Sequence, residues 1–229
     1  MRTKILVVVA HPDDEVLGCG GTIAKRTNEG DEVKVLFIAD GVSSRLAVTN
    51  DDFNEVVKQR RDAAKQACLI LGVSDIKFSN FPDNQLDTVS LLNIVRTVEK
   101  EILEFEPDEI WTHHSGDLNI DHRVTFQAVV TAARPLPGSK IVNLQTFEIL
   151  SSTEWQPSSS SFETFRPNLF IDISEFLDLK LKAIDTYHME MHLFPHPRSN
   201  QGIEILARSR GMSAGSEAAE AFTIVRKIN

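Results

Sequence analysis

The chain is poor in cysteine. Two thiols, Cys19 and Cys68, stand in 229 residues, too few for a disulfide framework and without the spacing of a zinc knuckle. Both are expected as buried small residues, and a reducing cytoplasm is the expected compartment. No stretch approaches the roughly 20 apolar residues that a bilayer-spanning helix requires. The apolar run at residues 5–10 is too short, and too soon met by charge, to be a signal sequence. Positive charge is also scarce: 24 Lys and Arg against 33 Asp and Glu give a formal charge of −9 and a pI near 5.3. That balance argues against a general affinity for nucleic acid or anionic membrane. The remaining composition, 41% hydrophobic and 25% charged, is that of a globular chain able to bury a substantial core.

What the chain does have is a dense polar segment in an apolar setting. Ile5-Leu6-Val7-Val8-Val9 reads as a fully buried strand, and it runs directly into Ala10-His11-Pro12-Asp13-Asp14-Glu15 and then Gly18-Cys19-Gly20-Gly21. Helical spacing follows over residues 15–28, and residues 33–39 form a second strand, which makes a βαβ unit. Further on the pattern predicts helices at 51–71, from Thr88 or Ser90 to about 104, at 124–133, at 175–188 with Ser174 as cap, and at about 201–210. Strands are predicted at 76–78, 109–112, 168–173 and 221–226. Residues 151–167, rich in Ser, Thr and Pro, read as a surface loop rather than a linker. This alternation predicts an α/β fold with a mostly parallel, doubly wound sheet, in one domain spanning residues 1–229.

A second polar segment, His113-His114-Ser115-Gly116-Asp117-Leu118-Asn119-Ile120-Asp121-His122-Arg123, repeats the placement of the first: after a strand and ahead of a helix. Ligands of open α/β sheets collect at such strand ends. His11 and Asp14 are three residues apart and share a face on a first helical turn. With His122 they make a two-histidine, one-carboxylate set that suits catalytic zinc, though another divalent ion could take it. Asp13, next to Asp14 but aimed elsewhere, is then the base for a metal-activated water. The plainer reading is that Asp13 and Asp14 are helix-start charges and His11 a turn residue.

The residues Ala10 to Gly21, AHPDDEVLGCGG, and Asn119 to Arg123, NIDHR, resemble the PIG-L (LmbE-like) zinc-dependent de-N-acetylases. Softer matches are Arg60-Arg61-Asp62, Leu71-Gly72-Val73, Phe81-Pro82-Asp83, Arg210-Gly211 and Ala219-Glu220-Ala221-Phe222. The resemblance implies a Rossmann-like fold and removal of an N-acetyl group from an N-acetylglucosamine-type amino sugar or its conjugate. It implies zinc on His11, Asp14 and His122, Asp13 as general base, and Asp121 as a carboxylate orienting a neighbouring histidine. Arg60 and Asp83 match positions that hold sugar hydroxyls. Many members carry histidine where this chain has Asn119, a residue able to donate a hydrogen bond but not a proton. The missing acid is expected from His196, or from His192 in the same His/Pro/Arg loop, or from Asp13 returning its proton. Arg198 of that loop is expected to contact substrate. His113 and His114 are alternatives as acid or shape the pocket, and Trp111 and Trp155 are expected as packing residues. Loops 43–52 and 151–167 are expected to choose the substrate, and the resemblance allows for a homo-oligomer.

The competing reading is a metal-free nucleotide- or sugar-binding module in which residues 18–21 cradle a phosphate. Asp13, Asp14 and Glu15 would repel that anion, and the glycines complete no phosphate-binding fingerprint. A fold that has lost catalysis is countered by the presence of all four core residues.

Overall fold

The computed structural model describes residues 2–44, 50–157 and 161–228. Its strands are β1 (Lys4–Val9), β2 (Glu32–Ala39), β3 (Asp75–Phe81), β4 (Glu109–His113), β5 (Asn143–Phe147), β6 (Leu169–Asp172) and β7 (Ala219–Lys227). Its α-helices are α1 (Asp14–Asn28), α2 (Asn50–Ile70), α3 (Leu91–Phe105), α4 (Ile120–Ala132), α5 (Leu177–Ile184) and α6 (Asn200–Ala214). The strands form one sheet in the order β3-β2-β1-β4-β5-β7-β6. β1 to β5 run parallel, and β7 lies antiparallel to both β5 and β6.

Alternation along β1 builds both layers. Ile5, Val7 and Val9 join the core beneath α1, α2 and α5, whereas Leu6 and Val8 face α3 and α4. Both faces are covered, so β1 carries no polar residue past Lys4, and Ile5 to Val9 are fully buried. From β1 the chain winds outward through β2 and β3, then returns to place β4 on β1's other side. The crevice at the carboxyl ends of β1 and β4 is therefore a topological switch point, and both polar segments open into it.

Three details depart from expectation. β5 has no strong apolar signature, because Gln145 and Thr146 are buried within it. The helix expected over 175–188 is three pieces: a 3-10 turn at Ser174–Phe176, α5, and a second 3-10 turn at Asp185–Tyr187. Ser174 Oγ donates to Asp172 Oδ1 at 2.5 Å and does not cap α5, just as Ser90 stands at the cap position of α3 without a side-chain bond.

α1 is broken at Cys19 (φ −148°, ψ 21°). A break exposes new helix ends, and two buried side chains close them. Glu220 accepts the N–H groups of Gly21 and Thr22 at 2.9 and 2.7 Å, while Lys180 Nζ donates to the Leu17 carbonyl at 2.9 Å and to Glu220 at 2.6 Å. A Cβ on Gly18 would sit 2.3 Å from the Phe147 ring, and one on Gly21 would sit 2.6 Å from Ile173. The glycine cluster thus serves packing, and the N–H groups a phosphate would need are held by Glu220.

Candidate metal centre

Between β1 and α1 the chain turns sharply at Asp13, which has φ 120° and ψ −27°, a region disfavoured for a side chain with a Cβ. The turn sends the two adjacent carboxylates apart. Asp14 Oδ2 accepts the His11 N–H at 2.8 Å and lies 3.3 Å from His11 Nδ1 and 3.3 Å from His122 Nε2. Asp13 Oδ2 lies instead 3.4 Å from Arg60 Nη2 and 3.0 Å from Arg198 Nη1. His122 comes from the first turn of α4, whose start is capped by Asn119 Oδ1 accepting the Asp121 N–H at 2.8 Å.

One ligand atom each from His11, Asp14 and His122 fall within 4.8 Å of one another, and all three residues are buried. Asp14 Oδ1 has no hydrogen-bond partner. A buried polar atom left so is costly; coordination to a divalent cation would satisfy it, and two imidazoles with a carboxylate are a fitting donor set. The electrostatics agree. Burial alone would raise the Asp14 carboxyl, but His122, His113 and His11 hold it well below the usual range. Burial would lower His11 and His122, yet the carboxylates around them lift their pKa values to about 10 and about 9. Without a cation the cluster gathers protons, and a divalent ion meets the same demand for positive charge.

Each outer ring nitrogen faces a carboxylate, an arrangement that fixes ring orientation. Asp117 Oδ1 is 3.1 Å from His122 Nδ1 and is itself held by Ser152 Oγ, Thr153 Oγ1 and the Asn119 N–H. Burial opposes its charge, but His122 and these hydrogen bonds outweigh burial and keep its carboxyl well below the ordinary range. Asp121 Oδ2 is 3.0 Å from His11 Nε2 and Asp83 Oδ1 is 3.1 Å from the same atom. Asp121 therefore faces His11, 110 residues away, and not adjacent His122. His113 stacks on His122 with centroids 3.9 Å apart, and its Nε2 accepts the Ala10 N–H at 2.8 Å. Burial, then His122, push its pKa down to about 3.

The other expected residues divide. Arg198 reaches Asp13 and donates through Nε to Ser151 Oγ at 2.6 Å. Arg60, expected toward sugar, is buried between Asp13 and Glu190, with Nη1 2.6 Å from Glu190 Oε1. Asn119 Nδ2 donates to Asn84 Oδ1 at 3.2 Å. His196 lies in the outer loop, its Nδ1 accepting the Arg198 N–H at 3.0 Å and its ring beside His192 and Trp155. Arg198, not His196, is the member of that loop brought to Asp13. His114 Nε2 is 2.8 Å from the Glu163 carbonyl. Trp111 is fully buried, but Trp155, expected to pack, is 48% exposed. Of the loops expected to choose the substrate, residues 45–49 and 158–160 lie outside the described residues, whereas Ser43 and Ser44 hydrogen-bond Asp83. Sequence reasoning missed Asp117, Tyr187 and Glu190; of these only Asp117, within the second polar segment, carried a signal.

The model of the PIG-L family, GlcNAc-PI de-N-acetylase, matches residues 6–133. Diacetylchitobiose deacetylase of Thermococcus kodakarensis is 29% identical over 201 residues, covering 82% of this chain and 70% of that protein. The 4-oxalmesaconate hydratase of Pseudomonas putida is 28% identical over 211 residues, covering 85% and 77%. The solved structure of N,N'-diacetylchitobiose deacetylase from Pyrococcus horikoshii shares the fold, with a TM-score of 0.79 at 23% identity over 98% of this chain and 84% of that one. With the family model covering residues 6–133, more than half of the chain, the protein belongs to the PIG-L family.

Proposed function

We propose that this chain is a zinc-dependent N-deacetylase that removes acetyl from an N-acetylglucosamine-type amino sugar or its conjugate, with residues 1–229 working as one unit. The observation that carries the reading is the divergence of Asp13 and Asp14: one carboxylate faces two histidines, the other faces away toward two arginines. The related diacetylchitobiose deacetylase supports the substrate class. No helix among the described residues is long and apolar enough to cross a membrane.

His11, Asp14 and His122 would hold the metal, oriented from behind by Asp121 and Asp117. Bound there, zinc would supply a Lewis acid and lower the pKa of water. Asp13 takes the proton of the attacking water as carbon–oxygen bond formation begins. Burial raises the Asp13 carboxyl, with Arg198 and Arg60 opposing the rise, so the base is able to give that proton back to the leaving amine. Asn119 Nδ2 turns from Asn84 to donate a hydrogen bond to the developing oxyanion. Asp83 and Arg198 meet sugar hydroxyls, and Arg60 steadies Asp13.

The test is a panel of N-acetylglucosamine, diacetylchitobiose and N-acetylglucosamine conjugates assayed for free amine, with and without chelator. An unsaturated carboxylate assayed for hydration belongs beside it, because a related protein is a hydratase. Chelator-sensitive amine release supports the reading. Hydration without amine release from zinc-loaded protein would end it.

A further inference from the structure

We propose that Glu15 and Tyr187 are positioning residues which, with Arg60, close a ring of contacts around Asp13 and hold the base at its working angle. The inference rests on the role proposed for Asp13.

The backbone of Asp13 is in a conformation that L side chains rarely adopt, φ 120°, and such geometry persists only where surroundings over-determine it. Glu15 supplies the first restraint: its Oε2 accepts the Asp13 N–H at 3.0 Å. Its Oε1 accepts the hydroxyl of Tyr187, the chain's single tyrosine, at 2.5 Å. The guanidinium of Arg60 stands over the Tyr187 ring, 5.7 Å from its centroid, and Arg60 Nη2 reaches back to Asp13 Oδ2 at 3.4 Å. Asp13 is thus gripped at its backbone by one end of the ring and at its carboxylate by the other. Glu15 is 0% exposed, Tyr187 2% and Arg60 8%, so solvent does not compete for these bonds.

Glu15 has simpler roles available, and its contacts argue against them. A helix-start carboxylate acting through the dipole alone would not need a hydroxyl brought from 172 residues away. A metal ligand would turn an oxygen toward His11 and His122, but both oxygens of Glu15 are taken by Asp13 and Tyr187. The ring touches none of His11, Asp14 and His122 through a side chain. Loosening it should leave metal content and sugar contacts intact and spoil only the alignment of the base, a loss that appears in kcat.

The experiment uses the full-length zinc protein and three substitutions, each read for zinc content, KM and kcat. Glu15→Leu removes both acceptors at similar volume and is expected to lower kcat roughly 10- to 100-fold, with KM and zinc content within about twofold of wild type. Glu15→Gln can still accept the Asp13 N–H while donating to the Tyr187 oxygen, and should recover kcat to within about threefold of wild type. Tyr187→Phe keeps the ring packing, loses the hydroxyl, and should fall between the two. A kcat for Tyr187→Phe equal to wild type overturns the proposal. So does Glu15→Gln as slow as Glu15→Leu or, if the leucine variant does not fold, about tenfold or more below wild type. Crystal structures of wild type, Glu15→Gln and Tyr187→Phe separate this inference from the reading it rests on. If no substrate is turned over, the ring still predicts that Tyr187→Phe shifts the Asp13 φ or its Arg60 contact while Glu15→Gln preserves both; an unmoved Asp13 in Tyr187→Phe counts against it.

Discussion

Glu220 offers the sharpest test of how α1 is built. It is 4% exposed, as is Lys180, and the two are 2.6 Å apart inside the break in the helix. Glu220→Gln keeps an amide oxygen for one of the two N–H groups at Gly21 and Thr22 but removes the charge opposite Lys180. Removing one partner of a buried ion pair costs about 3–5 kcal/mol, because the other charge stays buried and uncompensated. For a chain of this size each kcal/mol lowers Tm by roughly 2–4 °C, so Tm should fall by about 6–20 °C. That is a large share of a total stability of about 5–15 kcal/mol. The assay is urea unfolding in a double-mutant cycle with Lys180→Met. Because Lys180→Met with Glu220→Gln removes both charges, the double variant should be more stable than Glu220→Gln alone. A loss below about 1 kcal/mol for Glu220→Gln, or strict additivity in the cycle, would refute the assignment of an ion pair bracing the break.

Other outcomes are expected at the centre. Asp13→Asn should lower kcat by about 10²- to 10⁴-fold with zinc retained, since the amide cannot accept a proton; zinc analysis beside kinetics checks it. Asp117→Asn should weaken metal binding by about 10- to 100-fold by freeing His122, measured by competition with a chromophoric chelator. In metal-free protein the pKa values of His11 and His122 stand at about 10 and about 9, above the ordinary value near 6.5. Raised values contribute stability that is full below pH ~6.5 and is lost as pH climbs through the folded values. Tm of chelator-treated protein should therefore drop between pH ~6.5 and ~10, and added zinc should flatten that drop. His196→Ala tests the outer loop: a kcat within about twofold of wild type would remove His196 from consideration as the acid.

The sequence by itself determined the winding and the location of the candidate site. A fully apolar β1 has to be covered on both faces, and polar residues directly after it have to emerge at the sheet's carboxyl edge; both consequences follow from period and composition, without knowledge of packing. The pairing of His11 and Asp14 was legible as local spacing but not as a shared helical face: α1 begins at Asp14, and the turn at Asp13 is what brings His11 beside it. What spacing cannot express, tertiary structure decided. β5 went unread because Gln145 and Thr146 interrupt its apolar pattern although both are buried. Asp121, beside His122 in sequence, faces His11, and Asp117 takes His122, since the orientation of a helix's first turn depends on the cap that sets its entry. Arg60 turned inward, and Glu15 found Tyr187, because α1, α2 and the turn after α5 pack on one face of the sheet. Local chemistry named the residues at the centre; the partners that orient them come from distant segments, and only the folded chain brings those together.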